Sequence, residues 1–190
     1  YSAPYRNLIA FNSTITSDGV TYALADDNSA TSFCASQDTA NFSLKLKDGT
    51  TKAFRNTSIT SLEIRSLGST SFGYTSGFLR GCTKLIYLDM SGLKGCTELT
   101  ANFLKECSSL TSVDLSPLSD VTSIGNEFMQ NCRSLLSIDL SPLVNLESIG
   151  TTFLDYCTSL TYVDIRPLVK LKTISTSFLN SCSNITTVVL

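Results

Sequence analysis

Apolar residues recur every 25 positions through the later part of the chain. The clearest column, meaning a set of residues 25 apart, is aromatic and comprises Phe78, Phe103, Phe128, Phe153 and Phe178. A leucine or methionine follows each phenylalanine, and three residues later comes Cys82, Cys107, Cys132, Cys157 or Cys182. A repeat this strict predicts a solenoid, in which each unit buries its apolar edge against its neighbours.

Within a unit, the spacing of apolar residues changes along the chain. Val113-Asp114-Leu115 alternates with period two and predicts a strand with one buried face. Residues 126–135 have the three-and-four spacing of a short helix or helical turn. Pro117 ends the strand because it has no N–H to donate, and Gly125 and Gly150 predict tight bends. The pattern therefore predicts an α/β solenoid with a parallel sheet on the concave face and short helical turns on the convex side.

The chain before residue 57 shows no such period. Alternating apolar residues surround Asp48-Gly49, which is a strong hairpin signal, and residues 20–24 predict another strand. We therefore expect residues 1–56 to form a small β cap. Residues 57–190 would then form the solenoid, with one degenerate unit and about five units of 25 residues, and the whole chain would be one structural unit.

The repeat resembles the BspA-like leucine-rich repeat, whose units read roughly as Leu-x-x-hydrophobic-x-Leu-Pro, then Ile-Gly, then a Phe and Cys pair. Stretches such as residues 110–132 and 135–157 carry the resemblance, which is strong over residues 78–190 and weak over residues 57–77. It implies a surface-exposed or secreted protein used for adhesion or protein–protein contact, without chemistry of its own.

The chain has seven cysteines and no histidine. Five cysteines occupy the column given above, which predicts small inward side chains, and Cys96 stands where other units have an aliphatic residue. We expect buried free thiols, with a Cys34–Cys96 disulfide as the alternative. No Cys-x-x-Cys pair occurs, so no zinc site is expected. Triads that need histidine are excluded, and we expect no enzyme activity, no cofactor and no metal centre.

Aspartates recur at the same interval, as Asp89, Asp114, Asp139 and Asp164. Each lies between two inward residues, so the four carboxylates are expected on one outer face. Adjacent strands are about 4.8 Å apart, and at that distance two neighbouring carboxylates repel each other by about 0.9 kcal/mol in water. Three interpretations stay open: a solvated surface with hydroxyl donors, a calcium-binding track, or contact with a basic partner. In the last case Tyr87 and Tyr162, which also point outward, would join the binding face.

Composition narrows the function class. The formal net charge is −2 and the cations are scattered, which argues against nucleic-acid binding, and no apolar run is long enough to span a membrane. Serine and threonine make up 53 of 190 residues, which suits an extracellular surface. Candidate N-glycosylation sites are Asn12, Asn41, Asn56 and Asn184. We expect an extracellular or cell-surface protein whose partner is another protein.

The last unit suggests an alternative function. It finishes in a predicted strand at Val188, Val189 and Leu190, where Val189 stands in the aspartate column and no polar capping repeat follows. An open strand edge is a template for another chain. The alternative is therefore a subunit that assembles head-to-tail with copies of itself into an extracellular filament.

Overall fold

The computed structural model of the protein describes residues 12–35 and 40–190. The strands within these ranges are β1 (Thr14–Ser17), β2 (Val20–Ala23), β3 (Asn41–Lys45), β4 (Thr51–Arg55), β5 (Ile59–Glu63), β6 (Tyr87–Asp89), β7 (Glu98–Leu99), β8 (Ser123–Ile124), β9 (Ser148–Ile149), β10 (Tyr162–Asp164) and β11 (Thr187–Val189). The helices within these ranges are single 3-10 turns at Ala30–Phe33, Asn56–Ser58, Ser91–Leu93 and Ser116–Leu118.

Two hairpins precede the repeats. Strands β1 and β2 form one hairpin, and β3 and β4 form the other around the predicted turn at Asp48-Gly49. Strand β1 also pairs antiparallel with β5, which in turn pairs parallel with β6, so that one sheet has the order β2-β1-β5-β6. This sheet connects the first hairpin to the first regular coil. The division at residue 56 stays a prediction.

Successive 25-residue coils pair in parallel. Strands β7, β8 and β9 form one sheet with Leu99, Ile124 and Ile149 in register, and β10 pairs with β11. The repeat is thus a stack of coils, built from small sheets.

The predicted strand around Val113 is wrong for the two middle coils. Residues 112–114 and 137–139 have no strand assignment, whereas the equivalent residues form β6, β10 and β11. The coils that form a strand begin it with tyrosine or threonine, while the two middle coils have Ser112 and Ser137 at that place. Tyrosine and threonine favour extended backbone more than serine does, which agrees with the difference.

The predicted helix over residues 126–135 is also wrong. The segment forms consecutive turns, because every second residue has a left-handed backbone, with φ of 62°, 50° and 62° at Glu127, Met129 and Asn131. Right-handed helices need negative φ throughout. The same three positions are left-handed in five coils, at Gly77, Leu79, Gly81, Asn102, Leu104, Glu106, Glu127, Met129, Asn131, Thr152, Leu154, Tyr156, Ser177, Leu179 and Ser181.

These left-handed residues hydrogen-bond the coils together. The N–H groups of Asn102 and Glu106 donate to the next coil, at 2.8 Å and 2.7 Å, and the N–H of Leu104 donates to Phe78 O in the preceding coil at 2.9 Å. The alternation of backbone conformation turns successive N–H groups to opposite sides. The segment therefore forms a ladder between coils without forming a strand.

The phenylalanine column lies in the core. Successive rings from Phe78 to Phe178 are nearly parallel, with interplanar angles of 8–12° and centroids 4.7–5.8 Å apart. Phe33 lies against the first ring of the column, with a centroid distance of 6.1 Å. Four of the column's rings are fully buried. Each of the four buried rings is therefore covered by rings on both sides, which fixes the coil spacing from inside.

The cysteine column is a second internal ladder, and all seven cysteines are free thiols. The thiol of Cys107 donates to Leu79 O at 3.2 Å, and Cys132 donates to Leu104 O at 3.2 Å. Cys157 and Cys182 repeat the same bond one and two coils later. Each acceptor is the carbonyl of a left-handed leucine or methionine. Cys96 is also buried, and its thiol donates to Glu98 O rather than pairing with Cys34.

Gly125 and Gly150 have a different role from the bend expected of them. Neither has a positive φ. A Cβ atom on Gly125 would lie 2.6 Å from the backbone nitrogen of Ala101 in the preceding coil. The glycines are therefore needed for close approach between two coils rather than for an unusual backbone angle.

Phe128→Ala should lower the free energy of unfolding by about 3–5 kcal/mol, because it removes a buried ring and leaves a cavity between two stacked neighbours. Urea unfolding followed by circular dichroism measures the loss. Leu136→Ala is the control, since Leu136 is exposed, and it should change stability by less than about 0.5 kcal/mol. Equal losses for the two variants would contradict the stacked core.

Stability should fall steeply in alkali. Burial raises the pKa of Cys34 to about 12 and raises the pKa values of the other six thiols. The unfolded pKa of a cysteine is about 8.5, and the folded pKa values lie above it. The contribution of each buried thiol to the free energy of unfolding is therefore complete below about pH 8.5 and is lost as the pH rises toward the folded pKa. Each thiol then removes up to about 1.4 kcal/mol per pH unit.

The measurement is the free energy of unfolding in urea between pH 8 and pH 11. Cys132→Ala should show a shallower fall than the unaltered chain, by about 1.4 kcal/mol per pH unit above pH 9, because one buried thiol no longer titrates on unfolding. Parallel curves for the two proteins would show that Cys132 ionises as easily in the folded chain as in the unfolded one.

Candidate functional site

The four aspartates stand at equivalent positions of successive coils, and we define the acidic face as the exposed and half-buried side chains of residues 86–89, 111–114, 136–139 and 161–164. Apolar core residues on either side, such as Leu110 and Leu115 around the second segment, anchor each segment to the core. Because these core residues recur at 25, the four segments occupy equivalent places in successive coils. The face is therefore positioned by the same stack that builds the core.

Each aspartate closes a local turn as its segment ends. One carboxylate oxygen of Asp114 accepts a hydrogen bond from the backbone N–H of Ser116 at 2.9 Å. Asp89, Asp139 and Asp164 accept the equivalent bond from the residue two positions on, at 2.8–3.0 Å. The aspartates thus have a structural role that the sequence pattern did not show. The sequence had suggested only hydroxyl donors for these groups.

Arginines neutralise the two ends of the aspartate column. Arg65 lies 3.6 Å from the Asp89 carboxylate, and Arg166 lies 2.7 Å from that of Asp164. Within residues 12–35 and 40–190, no lysine or arginine nitrogen lies within 4.0 Å of the carboxylate oxygens of Asp114 or Asp139. The negative charge of the face is therefore concentrated in its two middle coils.

Large apolar side chains flank these carboxylates. Tyr87 and Tyr162 are 50% and 46% exposed, and Ile86 and Leu136 are 66% and 58% exposed. Aromatic residues are enriched in protein interfaces, where a buried apolar centre contributes most of the binding energy. Sequence reasoning named the tyrosines but missed Ile86 and Leu136. The available signal was that both stand in a column otherwise occupied by threonine, at Thr111 and Thr161.

The pKa values of two aspartates reflect these contacts. Hydrogen bonds from Ser116 lower the pKa of Asp114, and the hydrogen bond from the Arg166 side chain lowers the pKa of Asp164. Both carboxylates are therefore ionised at neutral pH. In the described part of the chain, no group of three or more acidic or cysteine side chains is arranged to hold a metal ion.

The four sequons differ in accessibility. Asn41 and Asn184 are exposed, and Asn12 is half-buried with its side-chain oxygen 2.8 Å from the Lys47 ammonium. Asn56 is buried, and its amide nitrogen donates to Arg80 O at 3.0 Å. A glycan on Asn56 would break that hydrogen bond, so Asn56 is the sequon least compatible with this fold.

The predicted assembly edge is exposed. Val188 and Leu190 are 39% and 84% exposed, and Val189 pairs with Asp164 in the β10–β11 ladder. In the described residues, no helix has the length and hydropathy needed to cross a bilayer.

Asp114→Ala should cost about 0.5–1.5 kcal/mol of stability, because it leaves the Ser116 N–H without its acceptor. Asp114→Asn should cost less, since an amide oxygen can accept the same bond. Because the pKa of Asp114 is lowered in the folded chain, its carboxylate contributes fully to the free energy of unfolding above about pH 4. This contribution is lost as the pH falls through the folded pKa. The two Asp114 variants should lack this acid-dependent loss, which is measured by thermal unfolding between pH 2 and pH 7.

Asp120→Ala is the control because Asp120 is exposed and lies off the acidic face. Equal losses for Asp114→Ala and Asp114→Asn would indicate that charge, rather than the hydrogen bond to Ser116, is what stabilises this turn.

One family model, described as the BspA type leucine-rich repeat region in six copies, matches residues 26–116 and 77–190. The matched range begins at residue 26, within the segment that we expect to form the cap. No curated protein and no solved structure matches the chain at a significant level. The family is generally a surface-associated, non-catalytic protein-interaction family. Because the match covers most of the sequence, the resemblance is confirmed, and the chain belongs to the BspA-type leucine-rich repeat family.

Proposed function

We propose that the protein is a non-catalytic, extracellular adhesion or recognition protein that binds a partner protein through its acidic face. The single observation that carries this proposal is the pairing of Asp114 and Asp139, two carboxylates without an ion pair among the described residues, with exposed apolar side chains. A partner that brings lysine or arginine beside apolar side chains would match both features. Family membership supports protein binding as the class of function.

The charge distribution favours a partner over mere solvation. Two carboxylates in adjacent coils repel each other, and a cation from a partner would relieve that repulsion. Arg65 and Arg166, at the two ends of the face, limit the negative potential to its middle. A basic partner is therefore expected to dock over the two middle coils. Exposed tyrosines at Tyr87 and Tyr162 mark the outer limits of the same surface.

The chemistry of the chain supports the absence of catalysis. The sequence contains no histidine, and the pKa values of Asp114 and Asp164 are lowered by hydrogen bonds. General acid catalysis at neutral pH favours a carboxyl group with a raised pKa in a site that excludes water. An open face with ionised acids is suited to recognition instead.

Head-to-tail assembly into an extracellular filament is the second candidate function. Such an assembly would use the exposed apolar side chains between residues 174 and 190. Ile174 is 51% exposed, whereas the equivalent Ile124 and Ile149 are buried. In such an assembly, the hairpins that precede the first coil of one copy would cover the last coil of the next.

The recognition function is tested by selecting random peptides displayed on phage against the purified chain. Peptides with lysine or arginine beside aromatic or aliphatic residues should be enriched. The double variant Asp114→Asn, Asp139→Asn should weaken their binding by about 10-fold or more, because two charge-assisted contacts are lost while the turns are kept. Binding is measured by calorimetry or surface plasmon resonance at physiological ionic strength.

Asp120→Asn is the matched control, since it removes one exposed carboxylate elsewhere, and it should leave the affinity within about 2-fold. Selected peptides that bind the double variant equally well would overturn the acidic face as the binding site. Sedimentation of the unaltered chain distinguishes the second candidate, because concentration-dependent long polymers would favour the filament and a single monomeric species would reject it.

A further inference from the structure

A cleft of about 460 Å³ lies between the two hairpins and the first regular coil. We call it the cap cleft and define it by Asp18, Tyr22, Lys52, Arg55, Ser58 and Lys84. Its walls come from strands β2 and β4, from the turn after β1, and from the residues before β6. Its volume lies in the range of small-molecule sites in proteins, roughly 300–1,000 Å³. It is separate from the acidic face in the residues that form it.

The cap cleft has the opposite charge to the whole chain. Three cations, Lys52, Arg55 and Lys84, line it with one acid, Asp18, which gives a local net charge of +2 in a chain of net charge −2. Across residues 12–35 and 40–190, no acidic oxygen lies within 4.0 Å of these three cationic groups. Other lysines and arginines, such as Lys105 and Lys172, do form ion pairs. The cleft therefore concentrates unneutralised positive charge.

Hydrogen bonds fix the floor beneath these cations. The hydroxyl of Ser58 donates to Arg55 O at 2.8 Å, so the 2.6 Å contact between the hydroxyls of Ser17 and Ser58 uses the proton of Ser17. The backbone N–H of Asp18 donates to Ser58 O at 3.2 Å. Both serines are buried. The segment that carries Arg55 is thus tied to the turn of the first hairpin before any ligand arrives.

Aromatic packing holds the opposite wall. The rings of Tyr22 and Phe54 meet edge to face with centroids 5.4 Å apart. The ammonium of Lys52 lies 5.2 Å from the centre of the Tyr22 ring and 5.6 Å from that of Phe54. A cation held over aromatic faces keeps its charge while losing some freedom of movement. The arrangement reduces the conformational entropy that Lys52 would lose on binding a ligand.

We propose that the cap cleft binds a compact hydrophilic ligand that carries a phosphate or sulfate group. A free sulfate ion, a phosphate ion or a phosphate monoester supplies up to two negative charges, a sulfate ester supplies one, and each has at least three acceptor oxygens, which suits a net charge of +2 contributed by three cationic groups. The guanidinium of Arg55 can bind two of those oxygens at once, and the lysines act as point charges. A carboxylate offers only one charge and two oxygens. None of the acidic-face residues lines this site.

The test is calorimetric titration of the full chain with sodium sulfate, sodium phosphate and a sulfated disaccharide at constant ionic strength. Saturable binding with one site per chain is expected for at least one of them. Lys84→Gln and Arg55→Gln should each weaken the affinity by about 10-fold, the usual effect of losing one charge-assisted contact. Lys94→Gln removes an exposed lysine outside the cleft and should change the affinity by less than about 2-fold.

The probes distinguish the source of the oxyanion. Equal affinity for the inorganic ions and the disaccharide supports a free anion as the ligand, and tighter binding of the disaccharide supports a sulfate ester on a sugar. The proposal is overturned if none of the three probes binds or if Lys94→Gln weakens binding as much as Lys84→Gln. Unchanged melting temperatures for the variants show that loss of binding is not loss of folding.

Discussion

Hydrogen bonds between consecutive coils, donated by left-handed residues, are the constraint on which this fold depends. Each left-handed non-glycine residue costs on the order of 1–3 kcal/mol in backbone strain, and three such residues occur in each of four coils. The strain is tolerated because Asn102, Leu104 and Glu106 each donate to a neighbouring coil. An isolated coil would keep the strain and lose those bonds. The unit of stability is therefore the stack of coils.

The same constraint explains why the core could be predicted from the sequence and the local backbone could not. A fixed interval of 25 residues requires equivalent side chains to lie over one another, so the inward phenylalanines and the buried thiols follow from counting. Apolar residues at 128, 129, 132 and 135 fit a helix and fit alternating left-handed turns equally well, because both direct these side chains inward. Hydrogen bonds to other coils decide between the helix and the turns, and the sequence of one repeat does not show those bonds.

The residues that depart from the repeat identify the candidate site better than the repeated residues do. The aspartate column is periodic and could be read from the sequence, yet much of its role is structural, since each carboxylate accepts a backbone hydrogen bond. The residues that give the face its charge pattern are not periodic. Arg166 occupies a position held by serine in three earlier coils, and Leu136 interrupts a threonine column. Periodic residues build the scaffold, and the exceptions distinguish one coil's surface from another's.

The positions of the cap cleft and the acidic face place two surfaces of opposite charge side by side. Lys84 lines the cleft, and Tyr87 begins the acidic face three residues later, at most about 10 Å along an extended chain. This distance is close to the screening length of about 8 Å at physiological ionic strength. An anion in the cleft would cancel positive potential that otherwise repels a basic partner from the first coil. Occupation of the cleft should therefore strengthen the attraction of the face for cations, so that the two surfaces act in the same direction.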